Sequence, residues 1–278
     1  MTPRELILTY AGFFQQSGIP DPEVDASLLL SHLCGKPHLE LRMNSDTVLT
    51  SDIVRSFQSL AERRMKREPL QYILKEAPFF GYRFEVDSRV LIPRPETELL
   101  CEWALEIISG HSDAPVLDLC CGSGCIGISL KLKCPAASVF LSDVSADALL
   151  VAESNAVRLN ADIHLICGDL FSGLSDQSFY LIVSNPPYIP SEVCRSLQPE
   201  VKKEPLLALD GGRDGLDLYR RICSEAPRYL SPGGFLLMEL GDGESLDVET
   251  IMKHCGFRDI SVRYDYQSLP RMICGRIS

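Results

Sequence analysis

The chain has 278 residues, 45% hydrophobic and 23% charged, with a formal net charge of −11. That length accommodates two domains. No window approaches the roughly 18 apolar residues of a membrane span, and Arg4 and Glu5 interrupt any signal-peptide core, so a cytoplasmic location is expected.

Residues 1–75 balance nine basic against nine acidic side chains, which puts the whole −11 on residues 76–278. Such an acidic body is ill suited to tracking a phosphate backbone and better suited to a basic partner. Eleven cysteines include one tight group, Cys120, Cys121 and Cys125, but no C-x-x-C pair, and the five histidines lack ligand spacing. No metal is expected, and the thiols read as reduced and mostly buried, with a redox role for the Cys120 group as the alternative.

The first ~70 residues predict helices alone. Thr2, Pro3 and Glu5 form a T-x-x-E helix start, followed by Leu6, Tyr10, Phe13 and Phe14 at helical spacing, with Gly18 as the stop. Asp21 and Pro22 open a second helix that Gly35 closes. Ser51 is expected to cap a third, which ends in the basic run Glu62 to Glu68 before Pro69. The run reads as a solvated helix face, with contact to ribosomal RNA as the alternative. Alternation at Tyr82, Phe84 and Val86, then Val90 to Ile92, predicts a β-hairpin, and Pro93 and Pro95 stiffen the connector after it. The expected division is a helical bundle over 1–74, a hairpin and connector over 75–95, and a second domain over 96–278.

From Pro115 onward apolar strands alternate with helices. Strands are predicted at 116–119, 139–142, 163–167, 180–184, 234–240, 258–264 and 272–276, with helices at 145–159 and 216–229. This is the pattern of an α/β, doubly wound, mostly parallel seven-stranded sheet, which binds ligands at the carboxyl ends of its strands.

Four successive strand ends carry residues fit for a ligand. The first runs into Cys120, Cys121, Gly122, Ser123 and Gly124, small residues that permit a tight turn and close approach of a ligand to a helix N-terminus. The second ends at Asp143, 19 residues after Gly124, where a carboxylate can accept both hydroxyls of a ribose. The third ends in Asp169 and Leu170, an acid for an exocyclic amine and an apolar cover for an adenine ring. The fourth, residues 179–184, meets Asn185, Pro186, Pro187 and Tyr188, and the prolines cannot continue a ladder. Taken singly, each acid also reads as a turn or helix cap, Asp118 included.

The ordered set LIPRPETE, VLDLCCGSG, SDVSADAL, GDLF, IVSNPPYIP, LALDGGRDGLDLYRRI and LSPGGFLLMELG closely resembles the protein-(glutamine-N5) methyltransferases of peptide chain release factors, over almost the whole chain. The resemblance implies a Rossmann-like class I methyltransferase domain using S-adenosyl-L-methionine and releasing S-adenosyl-L-homocysteine. It implies a helical domain for release-factor recognition, and as acceptor the glutamine of the Gly-Gly-Gln motif of class I release factors, an effect on translation termination.

By the same likeness residues 120–124 hold the methionine side of the cofactor, Asp143 the ribose, and Asp169 with Leu170 the adenine. Asn185 touches both cofactor and acceptor, and Arg94 and Thr97 join Asn185 to Tyr188 in the acceptor pocket; connector and helix-cap roles for Arg94 to Glu98 stay open. Cys120 stands where the family usually has glycine, Cys121 where threonine is common, and Leu170 where some relatives have an aromatic. Cofactor binding is expected to survive, with a negative φ at Cys120 and looser adenine cover. A monomer without stable nucleic-acid binding is expected.

A glutamine amide is a poor nucleophile, so positioning carries the chemistry. The Asn185 carbonyl and the Pro186 backbone carbonyl are expected to accept the two N–H bonds, with Tyr188 as a flat wall and no general base. Three alternatives stand beside this reading. A nucleic-acid amino-methyltransferase conflicts with the acidic body. A nicotinamide oxidoreductase leaves Asn185 to Tyr188 unexplained, and a non-catalytic cofactor-binding module conflicts with that motif being intact.

Overall fold

The computed structural model describes residues 1–43, 48–111, 113–175 and 177–278. These form two compact units, residues 1–75 with 198–203, and residues 76–197 with 204–278.

The first unit is helical: α1 (Pro3–Gln16), α2 (Pro22–Cys34), α3 (His38–Met43), α4 (Ser51–Met65) and α5 (Leu70–Leu74). The capping box forms as the spacing predicts, with the Glu5 amide donating to Thr2 Oγ1 at 3.2 Å and the Thr2 amide to Glu5 Oε2 at 2.8 Å. Gly35 closes α2 in the left-handed conformation at φ 62°. Thr50 rather than Ser51 caps α4, because its Oγ1 accepts the Ile53 amide at 3.4 Å. Leu6, Phe14, Leu29, Leu30 and Phe57 are fully buried at the centre, and Tyr10 packs edge-on against Phe57 at 5.0 Å.

The basic run is only in part a solvated face, with Lys66 exposed and Arg64 buried. Arg64 is 4% exposed; its Nε donates to Asp25 Oδ2 at 2.7 Å and its Nη1 to Glu200 Oε1 at 2.8 Å. Arg67 also grips Glu200 with two nitrogens, and Arg63 pairs with Glu68. Glu200 belongs to the 198–203 segment that folds with the helices, so the three arginines of the run are paired inside their own unit.

The second unit opens with a hairpin, β1 (Glu76–Phe79) and β2 (Tyr82–Glu85), pairing Phe79 with Tyr82. Its two loop residues, Phe80 and Gly81, both take positive φ (51° and 83°), the twist a two-residue hairpin favours. Residues 90–92 add no strand, contrary to the alternation. Val90 and Ile92 are buried, but the Ile92 amide donates to Glu204 Oε2 at 3.0 Å instead of to a ladder.

After α6 (Pro95–Ile108) come β3 (Pro115–Leu119), α7 (Cys125–Lys133), β4 (Ser138–Asp143), α8 (Ala146–Leu159), β5 (His164–Cys167), β6 (Phe179–Ser184), α9 (Ser191–Cys194), α10 (Asp217–Glu225), β7 (Leu230–Glu239), α11 (Ser245–His254), β8 (Arg258–Tyr264) and β9 (Pro270–Arg276). The sheet order is β5-β4-β3-β6-β7-β9-β8. Its first five strands are parallel; β9 runs antiparallel to both β7 and β8.

Leu100, Trp103, Ile128 and Ala152 of α6, α7 and α8 share one apolar core with the sheet. Tyr219, Ile222, Val248 and Met252 of α10 and α11 share the other. From β3 the strand order steps outward to β4 and β5 on one side and to β6 and β7 on the other. That reversal leaves a crevice at the carboxyl ends of β3 and β6, where open α/β sheets bind ligands.

Candidate active site at the carboxyl ends of the central strands

A cavity of about 350 Å³ occupies that crevice, and all four predicted strand ends reach it: Cys120 and Gly122 after β3, Asp143 after β4, Asp169 and Leu170 after β5, and Asn185 and Pro187 after β6. Leu207, Leu218, Arg89 and Arg221 complete much of the rim. Cys121, Ser123, Gly124, Pro186, Tyr188, Arg94 and Thr97 do not line this cavity.

The loop after β3 turns through alternate positive φ values, 60° at Cys120, 54° at Gly122 and 77° at Gly124. The negative φ expected at Cys120 is therefore corrected. The chain must reverse directly from strand to helix, and Cys121 already donates its amide to the Ser142 carbonyl at 3.0 Å. The left-handed turn thus falls on the preceding residue, where a glycine is at ease and a cysteine is strained. Gly127 serves packing: a Cβ there would sit 2.7 Å from Leu141 Cδ1 and 3.0 Å from Asp118 Cβ.

Asp118, fully buried, accepts the Gly127 amide through Oδ2 at 2.8 Å, so the helix-cap reading holds for that oxygen. Its Oδ1 has no partner among the described residues. Burial raises its pKa to about 7 against that one amide bond. A buried orphan acceptor beside a glycine turn suits a ligand with a cationic or amine donor.

Asp143 does not cap α8; Ser145 does, accepting the Ala148 amide at 3.1 Å. Asp143 instead takes the Gly122 amide on Oδ2 and the Ser145 amide on Oδ1, both at 2.9 Å. Held in that fork, each oxygen keeps a lone pair for a diol. Asp169 is exposed and pairs with Arg221 at 2.9 Å. Leu170, 5% exposed, adopts φ 52°, which places an apolar side chain in the cavity wall. These residues fit a nucleoside bearing an amino-acid tail.

At the acceptor end, Gly211 holds the Asn185–Tyr188 segment from behind. A Cβ at Gly211 would lie 2.7 Å from the Tyr188 Cα, and the Gly211 amide donates to the Ile189 carbonyl at 2.9 Å. The glycine-rich stretch 211–215 thus borders the motif as well as leading into α10. Asn185 Nδ2 donates to Thr97 Oγ1 at 3.3 Å, and Thr97 Oγ1 donates to Glu239 Oε2 at 2.6 Å. Tyr188 donates its hydroxyl to the other oxygen, Glu239 Oε1, at 3.3 Å. Glu239 is 1% exposed, and burial, opposed by those hydrogen bonds and by Arg271, raises its pKa to about 7. Arg94 pairs with the buried Glu204.

Glu239 and Arg221 escaped the sequence reading. The signal for Glu239 was present, a single acid ending a ten-residue strand whose last four residues are all buried, but it reads as strand punctuation. Burial and a neighbouring carboxylate raise the Cys120 thiol to about 12, and the cysteines are free, which speaks against thiolate reactivity at the loop.

A doubly wound sheet with a glycine-turn loop, a ribose-ready acid and Asn185–Tyr188 on its fourth strand end defines a class I S-adenosylmethionine-dependent methyltransferase. The solved 16S rRNA N2 G1207 methyltransferase of T. thermophilus, in complex with AdoMet and guanosine, shares the fold at TM-score 0.52 and 16% identity, over 73% of this chain and 50% of that one. Residues 5–74 match the family described as PrmC N-terminal domain, and residues 97–196 the methyltransferase small domain. The release factor glutamine methyltransferase of Geobacter sulfurreducens is 42% identical over 99% of this chain and 97% of its own, and that of Chlorobaculum tepidum 40% over 96% and 94%. The chain belongs to the release factor glutamine methyltransferase family.

Proposed function

We propose that this protein transfers the methyl group of S-adenosyl-L-methionine to the side-chain amide nitrogen of the glutamine in the Gly-Gly-Gln motif of class I release factors, modulating translation termination in the cytoplasm as a monomer. One observation carries the site assignment. Asn185 and Pro187 stand in the same cavity wall as Asp143, Asp169 and Leu170, so an acceptor amide at Asn185 lies beside anything bound along the other three strand ends. The acidic body complements a basic protein partner and discourages stable nucleic-acid binding.

Cys120 to Gly124, with Asp118 behind them, would hold the methionine end of the cofactor, Asp143 the ribose, and Asp169 with Leu170 the adenine. The cofactor supplies an electrophilic methyl on a positively charged sulfur. The remaining work falls to this chain. The acceptor amide's lone pair is delocalised into its carbonyl, so the protein must hold the nitrogen in line with the methyl, an effect worth roughly 7–11 kcal/mol when fully realised. Asn185 Oδ1 and the Pro186 carbonyl accept its two N–H bonds and stabilise the charge that develops there. Tyr188, tethered to Glu239, walls the plane of the amide. The alkylated nitrogen is strongly acidic and loses its proton to water.

The helical domain expected over residues 1–74, which folds together with 198–203, is assigned to grip the release factor. The test uses purified protein, labelled S-adenosylmethionine, and release factor carrying glutamine or alanine in the motif. Label is expected only on the glutamine form. Label on the alanine form, or on nucleic acid alone, rejects this reading.

A further inference from the structure

A side-chain amide is nearly symmetric in shape but not in polarity, and the proposed role of Asn185 works in one orientation only. With Oδ1 toward the acceptor, a donor meets an acceptor; with Nδ2 there, two NH₂ groups face each other. Something must therefore choose the face, and the residues behind Asn185 do so by proton counting.

Thr97, 2% exposed, owns one hydroxyl proton. Glu239 Oε2 lies 2.6 Å from Thr97 Oγ1, and above about pH 7, where Glu239 is ionised, the carboxylate can only accept. The proton is committed to Glu239, so toward Asn185 the hydroxyl can only accept. Asn185 must then present Nδ2, at 3.3 Å, which turns Oδ1 to the other side. The second oxygen of the same carboxylate takes the Tyr188 hydroxyl, so one buried group orients both ends of the motif.

We infer that Glu239 is a positioning residue which, through Thr97, fixes the amide of Asn185 with its carbonyl toward the acceptor. This rests on the reading of Asn185 given above. Neither Glu239 nor Thr97 lines the cavity, and in this scheme both act only through Asn185 and Tyr188. The inference differs from a packing role in one respect: the direction of a single proton decides the outcome.

The experiment measures kcat and KM for release factor, together with cofactor Kd and Tm, in four variants. Thr97→Val removes the hydroxyl at nearly constant volume and is expected to lower kcat at least ~30-fold, approaching the loss of one preorganised dipole, with cofactor Kd within about 3-fold. Thr97→Ser restores the hydroxyl and should restore kcat to within about 3-fold of wild type. Glu239→Leu removes the acceptor that commits the Thr97 proton, lets that proton turn to the Asn185 carbonyl and favour the wrong face, and should lower kcat at least as far as Thr97→Val.

The decisive variant is Glu239→Leu combined with Thr97→Val. Removing the misdirected proton should raise kcat at least ~5-fold over Glu239→Leu alone, a reversal of sign that additive packing losses do not produce. Thr97→Val within about 2-fold of wild type, or a double variant no faster than Glu239→Leu, overturns the inference. Should the variants fail to fold, neutron diffraction on the wild-type protein decides it: Nδ2 of Asn185 against Thr97 supports the inference, and Oδ1 there overturns it. Wild-type protein that leaves the release-factor glutamine unmethylated instead rejects the underlying functional reading.

Discussion

The protein buries charge in two places by opposite means. In the helical unit, Asp25 and Glu200 close around Arg64, with Arg67 adding a second guanidinium to Glu200. Burial works to raise Glu200, but the Arg67 and Arg64 hydrogen bonds pull it down to about 2, so Glu200 is ionised throughout the neutral range. In the methyltransferase unit, Glu239 is buried with two neutral hydroxyl partners and burial raises it to about 7. One arrangement is a fully paired clamp and the other a carboxylate with directional partners. The difference separates a group that holds a fold together from one that sets the direction of hydrogen bonds at a site.

Breaking the clamp should have the largest effect. Arg64→Met leaves Asp25 and Glu200 without their shared buried cation, and burial already raises the Asp25 carboxyl despite it. Unpairing such a group costs about 3–5 kcal/mol, and urea denaturation of the full chain should show it. A loss below about 1 kcal/mol would mean that water or Arg67 takes over the pairing. Activity per folded molecule measures a separate quantity and is expected to change less.

Next in size is Asn185→Ala, which removes the side-chain acceptor at the cavity wall. A loss in kcat of at least ~100-fold, with the cofactor still bound, is expected from one missing preorganised dipole. Near-normal turnover would strip Asn185 of its assigned role and leave the backbone carbonyl of Pro186 to hold the acceptor alone.

The lone carboxylate makes a pH prediction with a definite sign. The Glu239 pKa rises from 4.5 unfolded to about 7 folded, so its contribution to stability is fully present below pH 4.5 and is lost as pH climbs through 7. Glu239→Gln does not titrate. Between pH 6 and 8 the wild-type protein should lose about 1 kcal/mol that this variant keeps, readable as a smaller Tm shift. Asp118 and Glu244, each also raised to about 7 by burial, add the same trend in both proteins and cancel in the comparison. Equal shifts would place the Glu239 pKa outside this window.

Much of this was legible from the residues, for reasons that differ by region. The central strands β3, β4, β6 and β7 stand out because buried parallel strands are apolar runs bounded by turns, and four of the sheet's strand ends carry the cavity residues. The helix α3 escaped because six residues span under two turns and show no period. The segment 90–92 alternates like a strand but spends its amide on Glu204, a partner 112 residues away that no local pattern reveals. Arg64 is hidden in the same way: in sequence it is one of four basic residues in a row broken only by Met65, and only Asp25 and Glu200 make it different. Local period and turn chemistry were readable; pairing between distant charged residues was not.

The smallest predicted effect tests the other place where sequence reasoning erred, the turn at Cys120. Replacing Cys120 by glycine alone would mix the relief of a left-handed backbone with the loss of a partly buried sulfur. Comparing Cys120→Gly with Cys120→Ala separates them, because both lose the sulfur and only alanine keeps a Cβ at φ 60°. At an ordinary position alanine is favoured over glycine by roughly 0.5–1 kcal/mol, since glycine has more conformational freedom to lose. Here the left-handed conformation costs a Cβ-bearing residue roughly 1–2 kcal/mol, so the order should invert, with Cys120→Gly the more stable by about 0.5–1 kcal/mol. Cofactor Kd should agree within about 2-fold between the two, because the amides of residues 121–124 are placed by the turn in either case. If alanine proves the more stable, the loop relaxes to a negative φ once the thiol is gone, and the turn is imposed by the sulfur's packing rather than by the path from strand to helix.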